Sequence, residues 1–596
     1  MRLNHVLPLL ICFTALAAPS GEAVYKQHCA ACHEQDNPRI PRRAVLEKMP
    51  VARILRTLDY GAMISVAYTL THAEREAVAS YLGTPAEATA LSATAYCKDR
   101  AVHLSGTGKF QWNGWSPTAD NSRFQRSQAA ALSLDQVRHL KLKWAFAFDG
   151  DITAFSQPTI LDGYLFTGSA GGVIHALDME TGCVKWTFDA NGPVRSSILA
   201  VKDDGRFVLL FGDQNGWFYA LDSAGGRLIW KKHVDEHDAG RLTGSPVAHE
   251  GMVFVPVASW EENRALSADY PCCTARGSVV ALRVHDGSLV WKTYMTDSAE
   301  QTGPNQWGPS GAGIWSAPTL DLERGLLYVT TGDNYSAPAT QSSDAVVALE
   351  IKTGRKVWSR QFSSGDIFNG SCGSRTANCG PDFDFGSSAI LVRSGGKSLL
   401  LAGQKSGIVY ALDPDREGQI VWQVRVGKGS TNGGVQWGMA ADGQKVYAAV
   451  SDVVRARVTP TDPADLRTAN LDPKQGGGLT ALRIGDGSKV WYAPAHPCNP
   501  PKPGCSPAQP AAVTAIAGVV FSGAYDGHLP AFSSEDGSVL WDFDTARDFE
   551  TVNGVKGHGG SLDGPGAVVV GGMVFVNSGY SRQNGMPGNV LLAFAP

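Results

Sequence analysis

Beyond residue 140 the chain is written in short apolar runs separated by turn residues, a pattern that predicts strands rather than helices. The runs repeat. An apolar stretch ends in Ala-Leu or Ala-Phe, a turn rich in Asp and Gly follows, and a Trp comes next. The alanines are Ala176, Ala220, Ala281, Ala348, Ala411, Ala481 and Ala531, and the matching tryptophans are Trp186, Trp230, Trp291, Trp358, Trp422, Trp491 and Trp541. The spacing is ten residues in every unit except the Ala411 one, where it is eleven. Turns such as Asp178-Met179-Glu180-Thr181-Gly182 and His285-Asp286-Gly287 suit hairpin connections. Each unit therefore predicts a four-stranded antiparallel blade ending in a Trp that packs on its neighbour. Trp144 has no Ala-Leu before it, and Ala593-Phe594 has no Trp after it. Joined, these two half-units make an eighth blade, so 110–596 is expected to be an all-β eight-bladed propeller closed on itself.

Before residue 110 the pattern changes. Arg2, the apolar stretch from Val6 to Ala18 and the small residues around Ala17 predict a signal peptide over 1–18, and with it export to the periplasm or beyond. That stretch is short for a membrane span, and no later one reaches the required length. Residues 22–83 predict a small all-α domain, with Thr71 and Glu74 capping a helix through Leu82. Within it stands Cys29-Ala30-Ala31-Cys32-His33, the attachment signature of haem c: two thiols add to the vinyl groups and the histidine binds iron. A zinc site would need further Cys or His ligands nearby, and the next cysteine is Cys97. Met63, in a Gly-Ala-Met loop ahead of the capped helix, is the expected sixth iron ligand, with Met49 as the alternative. The Ala/Thr/Ser-rich start of 84–109 predicts a linker.

A formal net charge of -4 leaves no basic face for a nucleic acid, so no such partner is expected. Of eleven cysteines, Cys12 falls in the leader and two in the haem motif. The remaining eight can pair completely, as export to an oxidising compartment requires. Short loops predict Cys372–Cys379 and Cys498–Cys505, adjacency predicts a vicinal Cys272–Cys273 bridge, and elimination leaves Cys97–Cys183.

The repeats resemble those of the pyrroloquinoline quinone (PQQ) dehydrogenases over essentially 110–596. Trp112-Asn113-Gly114-Trp115 and Asn121-Ser122-Arg123-Phe124, behind a haem domain, resemble the polyvinyl alcohol-oxidising quinohaemoproteins of that family. The resemblance implies PQQ, Ca²⁺ and haem c as cofactors. It places Arg195 on a quinone carboxylate, Thr243 as a hydroxyl donor, Trp315 beneath the cofactor plane and Lys405 at the quinone oxygens, with Asn432 and Trp437 in a further contact loop. For Ca²⁺ it implies Glu261, exchangeable with Glu262, and Asp333 or Asn334. Asp344 is the implied general base, with Asp333 as competitor. Many relatives carry a vicinal disulfide shortly before the quinone-binding arginine; here Cys272-Cys273 comes one blade later. The expected activity is oxidation of secondary alcohol groups, such as those of polyvinyl alcohol, to ketones, with electrons leaving through the haem to an external cytochrome c. The alternatives are the same chemistry on a different alcohol, or a non-catalytic propeller scaffold with an electron-relay haem.

Overall fold

Each Ala-Leu…Trp unit folds as one antiparallel sheet, and the reason lies in how the tryptophan meets the next unit. The computed structural model describes residues 20–35, 41–59, 63–67, 70–85, 91–377, 379–457 and 469–596. The expected signal peptide lies outside them, as do residues 60–62 of the methionine loop. The chain divides into an N-terminal unit and, from residue 91, a larger one.

The larger unit contains eight sheets of blade form. In the first, Thr159–Leu161, Tyr164–Thr167, Val173–Asp178 and Val184–Asp189 lie side by side in sequence order. The outermost strand carries the Trp, whose ring lies against the turn glycine of the next blade. A Cβ on Gly226 would stand 2.4 Å from the Trp186 ring, and one on Gly287 2.7 Å from that of Trp230, so both positions exclude a side chain. The indole N–H then donates to a carbonyl of that next blade: Trp186 to Ser223 O at 3.1 Å, Trp230 to Val284 O at 2.9 Å and Trp422 to Ile484 O at 2.8 Å. Buried apolar faces of neighbouring blades fill the space between sheets, as with Phe166, Ile174, Leu209 and Phe211. The ring closes as expected. Lys141–Ala147 pairs antiparallel with Val590–Ala595, Trp144 sits opposite Ala593, and Trp541 donates to Leu140 O at 3.0 Å.

The central channel is plugged by the segment around 111–125. Gln111 and Trp112 extend the first blade inward, and Phe124–Gln125 adds a parallel strand to the seventh. Between them the plug accepts backbone N–H bonds from three further innermost strands, at Ala119 O, Asp120 O and Ser122 O. Arg123 is fully buried at its centre, donating to Val513 O, Trp115 O, Gln157 Oε1 and Thr514 Oγ1.

The expected linker needs one correction. Residues 91–109 belong to the propeller unit and run as a strap on its first blade. Cys97–Cys183 is formed, Cys97 N donates to Val184 O at 2.9 Å, and the Asp162 carboxylate accepts from Ser105, Gly106 and Gly108 N–H. The other three expected disulfides are formed too.

The N-terminal unit is helical. Gly21–His28, Val51–Asp59 and His72–Leu82 pack around Tyr25, Ile54, Leu58, Val78 and Leu82. The expected capping box of Thr71 and Glu74 is present, with Glu74 N bonded to Thr71 Oγ1 and Thr71 N to Glu74 Oε2.

Candidate functional site

The haem motif occupies the end of Gly21–His28 and the one-turn helix Ala30–His33. Cys29 and Cys32 are free thiols, each half-buried. His33 is buried, and its Nδ1 lies 2.7 Å from Pro41 O. That contact places the ring proton on Nδ1 and leaves the Nε2 lone pair for iron. Met63 and Met49 both pack, half-buried, against the same core.

In the propeller the expected cofactor residues come from successive blades, at the end where strand two stops and strand three begins. Trp315 stands just before the innermost strand of the fourth blade and is half-buried. Its indole N–H donates to Asp384 Oδ2 at 3.2 Å, and the Lys405 ammonium lies 5.4 Å from its ring. Trp437 meets Trp315 edge-on at 4.9 Å, and the Arg195 guanidinium stacks on Trp437 at 3.8 Å. Trp437 is held in turn by its indole N–H bond to buried Asp563, which also accepts from Tyr525 OH at 2.8 Å. Arg195, Thr243, Trp315 and Trp437 line one cavity, with Trp115 of the plug and Phe155. Asn432 is half-buried in the loop ahead of Trp437.

Beside Trp315 lies a concentration of buried carboxylates that sequence reasoning only partly found. Lys405 Nζ donates to Asp382 Oδ1 at 2.7 Å and to Asp384 Oδ2 at 2.9 Å. Asp384 Oδ1 accepts from the Asp333 backbone N–H at 2.8 Å. Carboxylate oxygens of Asp333, Asp382 and Asp384 all lie within 4.8 Å of one another. Burial pushes Asp333 well above the usual carboxylate range, and Asp384, Asp382, Glu262 and Asp344 push it further. Burial also raises Glu262, to about 7, with Lys405 opposing and Asp384 adding to the shift. Asp382 moves up through burial as well, against the pull of Lys405. One ammonium cannot neutralise this many acids, and the cluster of Asp333, Asp382 and Asp384 is the arrangement among these side chains that would take an additional cation. An all-oxygen donor set of this kind suits Ca²⁺.

Other expected ligands face elsewhere. The Glu261 carboxylate accepts from Thr274 N, Ala275 N and Tyr270 OH at 2.6–3.0 Å, and lies 3.4 Å from His237. Glu262, its alternative, is the residue whose charge is felt at Asp333 and Asp382. The Asn334 amide is spent on Ser310 O and Thr340 N, both at 2.7 Å. Asp344 has no exposed surface, a φ of 48°, and two carboxylate oxygens sealed from solvent without a hydrogen bond. Burial and the charges of Asp384, Asp366 and Asp382 raise it well above the usual range. Cys273 leads into Thr274 and Ala275, so the vicinal disulfide anchors the loop that grips Glu261.

Asp366, Asp382 and Asp384 were not singled out in the sequence. The available signal was the pair of acids one residue apart in Pro381-Asp382-Phe383-Asp384-Phe385; the φ of 58° at Asp382 shows that strand alternation is not what brings their carboxylates together.

The basic side of the cavity gives an independent check on the cofactor. Arg195 Nη2 and Arg241 Nε are sealed from solvent without an acceptor. Arg195 lines the cavity, and its unpaired guanidinium donor next to Trp315 and Trp437, with carboxylates on the far side of Trp315, fits a planar polycarboxylate bound beside a cation; Arg241 stands two residues before Thr243 of the lining.

The family model described as glucose/ethanol/alcohol dehydrogenase, beta-propeller domain, matches residues 112–425, and that of cytochrome c oxidase, cbb3-type, subunit III, matches 16–82. A polyvinylalcohol dehydrogenase of Pseudomonas sp. is 39% identical across 97% of this chain and 94% of its own length. One from Sphingopyxis sp. (strain 113P3) is 36% identical across 96% and 92%. Among solved structures, the quinohemoprotein alcohol dehydrogenase of Comamonas testosteroni superposes with a TM-score of 0.60 at 19% identity, covering 82% of this chain and 81% of its own.

Proposed function

The chain belongs to the PQQ-dependent alcohol dehydrogenases that carry a cytochrome c domain, and on that premise we propose that it oxidises secondary alcohol groups of polyvinyl alcohol in the periplasm and passes the electrons to an external cytochrome. PQQ with Ca²⁺ supplies a two-electron acceptor for the carbinol carbon, and haem c supplies the one-electron outlet. The protein's own part is placement and proton removal. Trp315 would give the cofactor plane a floor, Arg195 would meet its acid groups, and Asp333, Asp384 and Glu262 would be the oxygen donors for the cation. Cys29, Cys32 and His33 would hold the haem, and Met63 would be the second protein ligand to its iron.

The base is assigned to Asp382. Its Oδ1 is tied to Lys405, and its second oxygen accepts no hydrogen bond among the described residues and is not sealed from solvent, as both oxygens of Asp344 are. Asp384, by contrast, already accepts from Lys405, Trp315 and Asp333 N–H. Asp382 thus has a lone pair for the alcohol proton, held in position by a cation that does not itself leave.

The single observation carrying this reading is the Lys405 ammonium clamped between Asp382 and Asp384 beside the Trp315 ring. Its test is a pair of variants. Asp382→Asn should cut alcohol-dependent haem reduction by about 10²–10⁴-fold while PQQ stays bound. Asp344→Asn should cost far less; the reverse order would return the base to Asp344. Comparing polyvinyl alcohol with short secondary alcohols tests the substrate: a higher kcat/KM per hydroxyl on the short alcohols would remove the polymer from the proposal.

A further inference from the structure

Two buried arginines in this propeller are treated very differently by their surroundings. Arg123 has four hydrogen-bond acceptors and is satisfied within the plug. Arg241, on the two-residue strand Gly240–Arg241, is 8% exposed and has no carboxylate partner among the described residues. Its Nη2 donates to the Gln214 side-chain oxygen, but its Nε is sealed without an acceptor. Two more sealed, unused donors lie on the adjoining blade: Gln214 Nε2 and Arg195 Nη2. Gln214 and Arg195 are close through the backbone, since Gln214 N donates to Pro193 O at 2.9 Å. Outside, the half-exposed Trp260 ring covers the Arg241 guanidinium at 4.2 Å.

Burial presses Arg241 well below the ordinary arginine range, and the positive charges of Arg582 and Arg195 press in the same direction. Tyr580 and Tyr335 act in the other direction and Glu262 feels the Arg241 charge, but no described carboxylate forms an ion pair with it. A desolvated guanidinium beside like charges, with donors of two side chains left open next to it, is costly unless an anion completes the set. A neutral acceptor would fill one donor and leave the charge; a carboxylate fills two and cancels it.

We infer that Arg241 and Gln214 form a second carboxylate-binding subsite, next to Arg195, that receives a further acid group of the PQQ bound in this cavity. The inference rests on the quinone reading above. Arg195 then holds one acid group through a guanidinium stacked on Trp437, and Arg241 holds another under the Trp260 cap. A carboxylated alcohol substrate offers the same chemistry from a different source, and the test separates the two.

The experiment uses the full haem-loaded chain with Ca²⁺, free of quinone, and measures PQQ affinity by equilibrium dialysis and unfolding by calorimetry. Arg241→Met should raise the PQQ Kd at least about 10-fold, the loss of one charge-assisted contact. It should leave the quinone-free protein as stable as wild type or more so, because an uncompensated buried charge has been replaced by an apolar chain of similar length. A merely structural arginine would do the opposite, lowering the unfolding temperature and leaving Kd alone, and that result overturns the inference. Gln214→Leu, which keeps the charge, should weaken PQQ less than Arg241→Met. If PQQ binding is unchanged while KM for 3-hydroxybutyrate rises relative to 2-butanol, the carboxylate comes from the substrate and the cofactor assignment is overturned. If wild type itself binds no PQQ, the quinone reading fails, and the subsite with it.

Discussion

Replacing Gly386 by alanine disturbs the proposed cofactor floor with one methyl group. A Cβ at Gly386 would stand 1.8 Å from Trp315 Cη2, 2.3 Å from Cζ3 and 2.4 Å from the carbonyl oxygen of Gln436. Carbon–carbon contacts relax at about 3.5–4.0 Å, so the indole must retreat by roughly 2 Å. The backbone cannot yield in its place, because the Gln436 carbonyl blocks the other direction. Overpacking of this kind costs about 1–3 kcal/mol of stability. The functional cost should be larger, since the retreating ring breaks the 3.2 Å bond from Trp315 Nε1 to Asp384 and carries the platform out of register with Lys405. A misplacement of about 1 Å can cost around 10²-fold in rate, so Gly386→Ala should lose at least that much in single-turnover haem reduction by alcohol. The double variant Gly386→Ala/Trp315→Phe removes the clashing benzo edge. It should recover part of the lost stability, a non-additive coupling visible in a double-mutant cycle. Wild-type rate and wild-type PQQ affinity in Gly386→Ala would refute the claim that Trp315 is the floor.

Other consequences concern the frame. Cys97→Ser/Cys183→Ser opens a bridge with a sequence separation of 86, and chain entropy puts the loss at about 4–5 kcal/mol, readable in denaturant unfolding. Arg123→Met strands four acceptors in the plug and should destabilise the propeller by about 3–5 kcal/mol, with haem content unchanged. His528 is raised to about 9, chiefly by its hydrogen bond to Asp542. With the folded value above the ordinary 6.5, the stabilisation is complete below about pH 6.5 and lost as pH rises through about 9. The pair is about 40% exposed, so the effect is small: the Tm gap between wild type and His528→Gln should be measurable at pH 6 and close by pH 10.

The ring was legible because its grammar is physical. A Trp needs a glycine turn to lie on, and both recur at fixed spacing through the chain, so the incomplete ends at Trp144 and Ala593 declared the closure. The disulfides were legible through counting. The 91–109 strap was not, since its small and polar residues look like a linker, although the Cys97–Cys183 pairing already tied it to the first blade. In the site, Arg195, Thr243, Trp315, Lys405 and Trp437 do converge. The acids were harder. Glu261 and Glu262 are neighbours on one helical turn, and the sequence cannot say which faces inward; hydrogen bonds to Thr274 and Ala275 decide it. Asp382 and Asp384 follow a disulfide loop from Cys372 to Cys379 whose path has no sequence signature. Nothing in the sequence marks Arg241, which is buried beneath the Trp260 ring.

The central claim is that a quinone held in the propeller drains electrons from an alcohol into the haem of the same chain. Its most direct test is stopped-flow absorbance of the haem band in purified, haem-loaded protein mixed with polyvinyl alcohol. With PQQ and Ca²⁺ present the haem should be reduced, and omission of either should abolish the signal. Haem that stays oxidised with polymeric and short secondary alcohols alike, in protein shown by dialysis to hold PQQ, would contradict it.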